Sequence, residues 1–296
     1  MTLLSYLLEL IIILISVAFF TLLERKILGY SHFRLGPNKV GVWGIFQPFR
    51  DAIKLFSKEN FKLININYFI FLFSPILGII IIINLWILIP FWGENLASRV
   101  SILFYFCLAS ISIYFLIGTG WSRASKYSII GAYRSVAQAI SYEVNIFLVI
   151  FFICWIINSY SFSMFSNNFL YLIILIQIII IWLIIILAES NRTPFDFSEG
   201  ESELVSGFNT EYRGGLFSLI FITEYGSILF FRILTVLMFL SFSIISSLKL
   251  IIISSFYIWI RSTLPRLRYD RLILISWKGL LPLVISYIIF IFLLGF

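Results

Sequence analysis

Apolar runs of about 20 residues dominate this chain, and a run of that length with few charges matches the hydrocarbon core of a bilayer. Across the 296 residues, eight runs are predicted as spanning helices: Leu3–Leu23, Tyr68–Pro90, Ile102–Gly118, Ser135–Ile157, Asn168–Leu187, Leu216–Leu240, Ser247–Ile260 and Leu280–Leu294. Backbone in lipid must satisfy its own hydrogen bonds, so helices are the expected solution. Charged residues make up only 12% of the chain and apolar ones 61%, whereas soluble domains carry roughly 25% charged residues. The longest polar-containing stretches, about 24–67 and 189–215, are too short and too apolar for a separate water-soluble core. The fold class expected is an all-α polytopic membrane protein, a single membrane domain over 1–296. The first run starts at residue 3 with no basic region before it and no small-residue cleavage site after it, which predicts a retained helix.

Basic residues set the expected orientation. Arg25, Lys26, Arg34, Lys39, Arg50, Lys54, Lys58 and Lys62 follow the first span, and Arg123, Lys126 and Arg134 follow the third. Arg192 and Arg213 follow the fifth; Arg261, Arg266, Arg268, Arg271 and Lys278 follow the seventh. Odd-numbered connections therefore face the cytoplasm-like compartment, and both termini face the other way. The same bias accounts for the net charge of +7, with no nucleic acid needed. His32 is the only histidine, and Cys107 and Cys154 lie apart within apolar runs. A zinc, haem or iron–sulfur site made by this chain alone is not expected.

After the first span comes the turn sequence RLGPNKVG at 34–41. Val42, Ile45, Phe46, Phe49, Ile53 and Phe56 then recur at steps of three and four, with Arg50, Lys54 and Lys58 on another face. This predicts an amphipathic helix in the lipid interface, interrupted or kinked at Pro48. Asp51 and the basic face would border a polar cavity or simply face headgroups; periodicity alone does not choose.

The acidic residues are concentrated between the fifth and sixth spans. Ala188 to Tyr212 holds Glu189, Asp196, Glu199, Glu201, Glu203 and Glu211, out of 14 Asp and Glu in the whole chain. A solvated connection is the plain reading. Against it, Phe195, Phe197, Leu204, Val205 and Phe208 interleave with the carboxylates, the composition of a loop folded back into protein. Glu143 and Glu224 lie within the fourth and sixth spans. Glu143 sits about eight residues into its span, roughly 12 Å along the axis at 1.5 Å per residue. Any one of these glutamates reads as a neutral core residue. Several at one depth, in a chain so short of charge, point to a connected protonatable path. Arg232, two turns beyond Glu224, is placed to partner a carboxylate or to snorkel. Glu9, Glu94 and Asp270 are assigned no catalytic role.

These stretches are specific enough to carry a family resemblance. LLERKILGY at 22–30, RLGPNKVG at 34–41, QPFRDAIKLFSKE at 47–59, AQAISYEV at 137–144, AESNRTPFDFSEGESELVSGFNTEY at 188–212, TEY at 223–225 and LPRLRYDRL at 264–272 resemble, in order, the subunit 1 family of respiratory complex I. That family is the counterpart of the bacterial H subunit. The resemblance implies eight spanning helices at the junction of the membrane and peripheral arms, and a tunnel for ubiquinone as substrate. It implies that NADH, FMN and the iron–sulfur clusters belong to partner subunits, with none bound by this chain alone. Expected partners are the peripheral-arm subunits of the quinone site, antiporter-like membrane subunits and lipids. The mitochondrial inner membrane is the expected location, with the basic connections in the matrix.

Carried over residue by residue, the resemblance places a proton path at Glu143, Glu189 and Glu224, with Asp196, Glu199, Glu201, Glu203 and Glu211 at its mouth. It places quinone-tunnel contacts at Glu24, Arg25, Arg34, Asp51, Phe56, Arg192, Phe221 and Arg271. Arg50, Arg213 and Arg271 depart from the family's pattern. Three other classes stay open on sequence: the membrane subunit of an energy-converting hydrogenase, a standalone proton or cation transporter, and a purely structural anchor for an enzyme arm, in which carboxylate-to-amide changes would be silent. The full-length motif set favours the respiratory subunit over the first. No inverted repeat is visible between the halves, which weighs against the second.

Overall fold

The computed structural model describes residues 2–59, 66–90, 100–122, 125–165, 176–197, 207–210, 212–240 and 246–293, with residues 2–6 and Ile176 described by backbone alone. Within these residues the chain is helical, as its apolar runs require. α1 spans Thr2–Ser31, and a 3₁₀ turn at Val42–Gly44 precedes α2, Gln47–Ser57. Then come α3 (Tyr68–Ile87), α4 (Ser101–Trp121), α5 (Lys126–Ile157) and α6 (Ile176–Glu189). α7 covers Gly214–Thr235 and continues as a π-helix over Val236–Leu240; α8 covers Ser246–Thr263. α9 runs over Tyr269–Leu293 with a π-helical segment at Ile275–Leu280. Six helices among the described residues are long and apolar enough to cross a membrane: α1, α3, α4, α5, α7 and α9. The early part of the predicted fifth span, 168–175, lies outside the described residues. α8 is apolar in its middle but bounded by Lys249 and Arg261.

α7 is the central helix. In its apolar window 67% of residues are buried, against 22% in α1 and α9, and it packs against α1, α2, α3 and α8. The outer helices instead turn Leu7, Ile11, Ile12, Phe290 and Phe292 outwards. Lipid tails are as apolar as leucine, so such a surface costs nothing in a bilayer. Close approach inside the bundle depends on small residues. A Cβ on Gly120 of α4 would stand 2.1 Å from Ala132 Cβ of α5, so the two helices nearly touch there.

Several boundaries differ from the sequence expectation, each for a physical reason. α1 continues past Leu23 to Ser31 because Glu24 is satisfied inside the protein (below) and Glu, Arg, Lys and Leu are strong helix formers. α5 starts at Lys126, not Ser135. Its polar-looking first turns are held by the Gly120–Ala132 contact and by Ser128 donating to Gly120 O at 3.2 Å. Glu143 therefore sits mid-helix instead of eight residues in. α9 likewise starts at Tyr269. Pro48 does not kink α2; it occupies the first turn, where a missing N–H is harmless and the fixed φ favours helix initiation.

Candidate functional site

Two polar centres lie inside the bundle, on either side of α7. The first is built on Glu24, which α1 carries inward until it is 4% exposed. Tyr225 of α7 donates its hydroxyl to Glu24 Oε2 at 2.7 Å. Arg261, near the end of α8, ion-pairs with Glu24 Oε1. Arg192 stands 3.9 Å from the same oxygen, its guanidinium 4.5 Å from the centre of the Tyr225 ring. Phe221, one turn earlier on α7, packs on Tyr225 at 4.3 Å between ring centres. Both carboxylate oxygens are engaged, so this is a closed charge cluster. A small pocket of about 20 Å³ adjoins it, walled by α1, α6, α7, α8 and Arg192.

The second centre is a cleft among α3, α4, α5, α6 and α7, with about 980 Å³ of empty space counting its mouth. Ile82, Phe115 and Phe208 make much of the wall, while Glu189, Glu224, Arg192 and Tyr105 supply polar groups. Glu189 closes α6, and its Oε2 is enclosed with no hydrogen-bond partner. Glu224 Oε1 accepts from Asn209 Nδ2 at 3.1 Å. Glu143 lies within electrostatic range of Glu189, and Tyr105 within range of both. Ala139, one turn before Glu143, lines the cleft.

Local packing turns these groups inward. Fully buried Gln138 of α5 donates from Nε2 to Ala188 O at 2.6 Å and Phe195 O at 3.0 Å, tying down both sides of the turn that carries Glu189. Gly131 lets the 207–210 segment lie on α5: a Cβ there would stand 3.0 Å from Phe208 N. Asn209 reaches Glu224 from that segment. Tyr212 stacks on Phe71 at 4.5 Å, its hydroxyl 3.2 Å from Ser74 Oγ. At 3.6 residues per turn, consecutive helix residues point about 100° apart. Glu224 and Tyr225 therefore serve opposite centres from one helix. The two centres also share a wall, Ser190 and Arg192.

Of the residues singled out from sequence, Glu24, Arg192 and Phe221 meet at the first centre; Glu189 and Glu224 line the second, and Glu143 lies within electrostatic range of Glu189 without lining it. Arg25 and Asp51 form a separate pair between α1 and α2, at 2.5 Å and half-exposed. Gln47 also donates to Asp51, at 3.0 Å. Phe56 is exposed and lies beside Gly215 at the start of α7. Asp196 is partly buried in the connection after α6. Arg34 and Arg271 are exposed and line neither centre. Glu199, Glu201, Glu203 and Glu211 lie outside the described residues. Arg232 neither pairs with a carboxylate nor snorkels; it is buried between Phe20 and Tyr257. Sequence reasoning missed Tyr225, Arg261, Asn209, Gln138 and Tyr105. Only Tyr225 left a signal, as a second polar residue next to Glu224 in an apolar helix.

An all-helical membrane protein with carboxylates gathered in an internal cleft is the class that fold and site define. The chain matches the family model described as NADH dehydrogenase over residues 4–292. It is 44% identical over 296 residues to NADH-ubiquinone oxidoreductase chain 1 of Aedes aegypti, covering 98% of this chain and 95% of the relative. Against the same protein of Locusta migratoria the identity is 46% over 297 residues, covering 98% and 94%. Against that of Strongylocentrotus purpuratus it is 42% over 297 residues, covering 94% and 90%. The chain belongs to the family of NADH-ubiquinone oxidoreductase chain 1, a core membrane subunit of respiratory complex I.

Proposed function

We propose that the chain forms much of a ubiquinone passage beside the Glu24 centre, and that the carboxylate cleft is the start of a proton path from it. One observation carries this reading: the two centres meet at Ser190 and Arg192. A change in charge on one side of that wall is felt on the other, because low-dielectric surroundings strengthen electrostatic coupling. The exposed apolar faces of α1 and α2, including Phe46, Phe49, Ile53 and Phe56, suit an isoprenoid tail. Glu24, Arg25, Arg34, Asp51, Arg192, Phe221 and Arg271 are the proposed contacts along the passage. A largely apolar passage needs only a few polar groups to orient a headgroup.

Glu143, Glu189 and Glu224 are the proposed proton carriers, with Asp196, Glu199, Glu201, Glu203 and Glu211 at the mouth. Quinone reduction takes up protons along with electrons, so it changes charge next to buried carboxylates and provides a trigger for proton movement. α6 extended through 168–175, together with α8, would complete eight spans, with α2 lying in the interface. Partners are the quinone-site subunits of the peripheral arm, antiporter-like membrane subunits and lipids, with the NADH, FMN and iron–sulfur chemistry in partner subunits. The setting is the mitochondrial inner membrane, with the basic connections in the matrix.

A photoreactive quinone-site inhibitor on the assembled complex tests the passage. Labelled peptides from α1, α2 and the first half of α7 are expected, and label confined to other subunits would contradict it. For the path, Glu143→Gln and Glu199→Gln should each uncouple or stop quinone-dependent turnover. Full activity with normal pumping in both would defeat that assignment.

A further inference from the structure

The pocket beside Glu24 contains charge that the quinone and proton readings do not use. Arg232 projects from α7 into it and is 4% exposed. Its guanidinium lies 3.9 Å from the centre of the Phe20 ring and 5.5 Å from that of Tyr257. Nε and Nη1 are enclosed and donate to nothing among the described residues, and the Tyr257 hydroxyl, on the same pocket wall, is likewise without a partner among them. Aromatic faces attract a cation but accept none of its directed N–H bonds. An enclosed cation without hydrogen-bond acceptors costs several kcal/mol, so these donors imply an acceptor.

The charge balance indicates what kind. Arg192, Arg232 and Arg261 line the pocket, with Glu24 as the one carboxylate among its described lining residues, which leaves that described lining with excess positive charge. Glu24 is already held by Tyr225 and Arg261. Its nearness disfavours a divalent anion, and the Phe20, Ile186, Leu187, Ile228 and Ile258 walls offer nothing to solvate one. We propose that Arg232 and Tyr257 form an internal binding site for a small monovalent anion of halide type, seated in the pocket that both side chains line. The site is distinct from the carboxylate cleft. Its occupant would offset part of the excess positive charge around Glu24.

Cryo-electron microscopy of the assembled complex in chloride and in iodide buffer tests this without reference to quinone chemistry. The expected result is a density peak between Arg232 and Tyr257 that strengthens in iodide, the heavier scatterer. Arg232→Met keeps the buried bulk and removes the charge. It should raise the iodide concentration for half-occupancy by at least about tenfold, as fits loss of charge-assisted hydrogen bonds. Arg232→Lys should retain a weaker peak. Density of equal strength in both buffers, which means water, would overturn the proposal. So would an iodide peak unchanged in Arg232→Met.

Discussion

The two polar centres on either side of α7 use the same residue type in opposite ways. Glu24 accepts hydrogen bonds from Tyr225 and Arg261, one on each oxygen, and has the Arg192 guanidinium 3.9 Å away. Glu189 leaves an enclosed oxygen without any donor, has Glu143 for a neighbour and opens on a cleft. A carboxylate locked by cations has little freedom to exchange a proton. One that lacks donors and sits near a second carboxylate is poised to hold or release one, since like charges at close range resist joint ionisation. The contrast separates a clamp that joins α1, α7 and α8 from a site equipped for proton chemistry. Burial alone does not separate them; the partners do.

Substitutions can break or sharpen that contrast. Glu24→Ala removes the carboxylate with which Arg261 ion-pairs, and the expected cost is about 3–5 kcal/mol, as for other broken buried pairs. Thermal unfolding and the yield of assembled complex would measure it. Glu189→Gln removes no hydrogen bond from the enclosed oxygen, so assembly should survive. Coupled turnover should fall by about 10²-fold or more, the scale for loss of a group that transfers protons; proton uptake per NADH in proteoliposomes reads it. Tyr225→Phe deletes one hydrogen bond to a carboxylate, worth about 1.5–3 kcal/mol. It should loosen the clamp, seen as faster amide exchange at the ends of α1 and α8, and spare the cleft. Arg25→Ala breaks an exposed pair worth about 0.2–1 kcal/mol, and stability should hardly move.

The apolar runs made helical architecture legible, because length and lack of charge report directly on lipid. Where a helix starts was less legible. Lys126 to Arg134 reads as a connection until Gly120 and Ala132 are seen in contact, and such a contact between distant residues has no local signature. Pro48 reads as a break, though one turn's shift in register makes it an initiator. Glu143, Glu189 and Glu224 stand out in sequence because charge is rare there. Arg261 and Gln138 do not, as an arginine in a basic connection and a glutamine among small residues look ordinary. Arg34 matches the family's motifs and Arg271 departs from them, yet both are exposed in this chain, where a side chain's direction depends on packing that a motif does not encode.

Infrared difference spectroscopy of the assembled complex, recorded as quinone is reduced, most directly tests whether the cleft exchanges protons while the clamp does not. The expected result is a change in the protonated-carboxyl band that disappears in Glu189→Gln and persists in Tyr225→Phe. A band that survives Glu189→Gln and Glu143→Gln unaltered, with pumping intact in both, would contradict it.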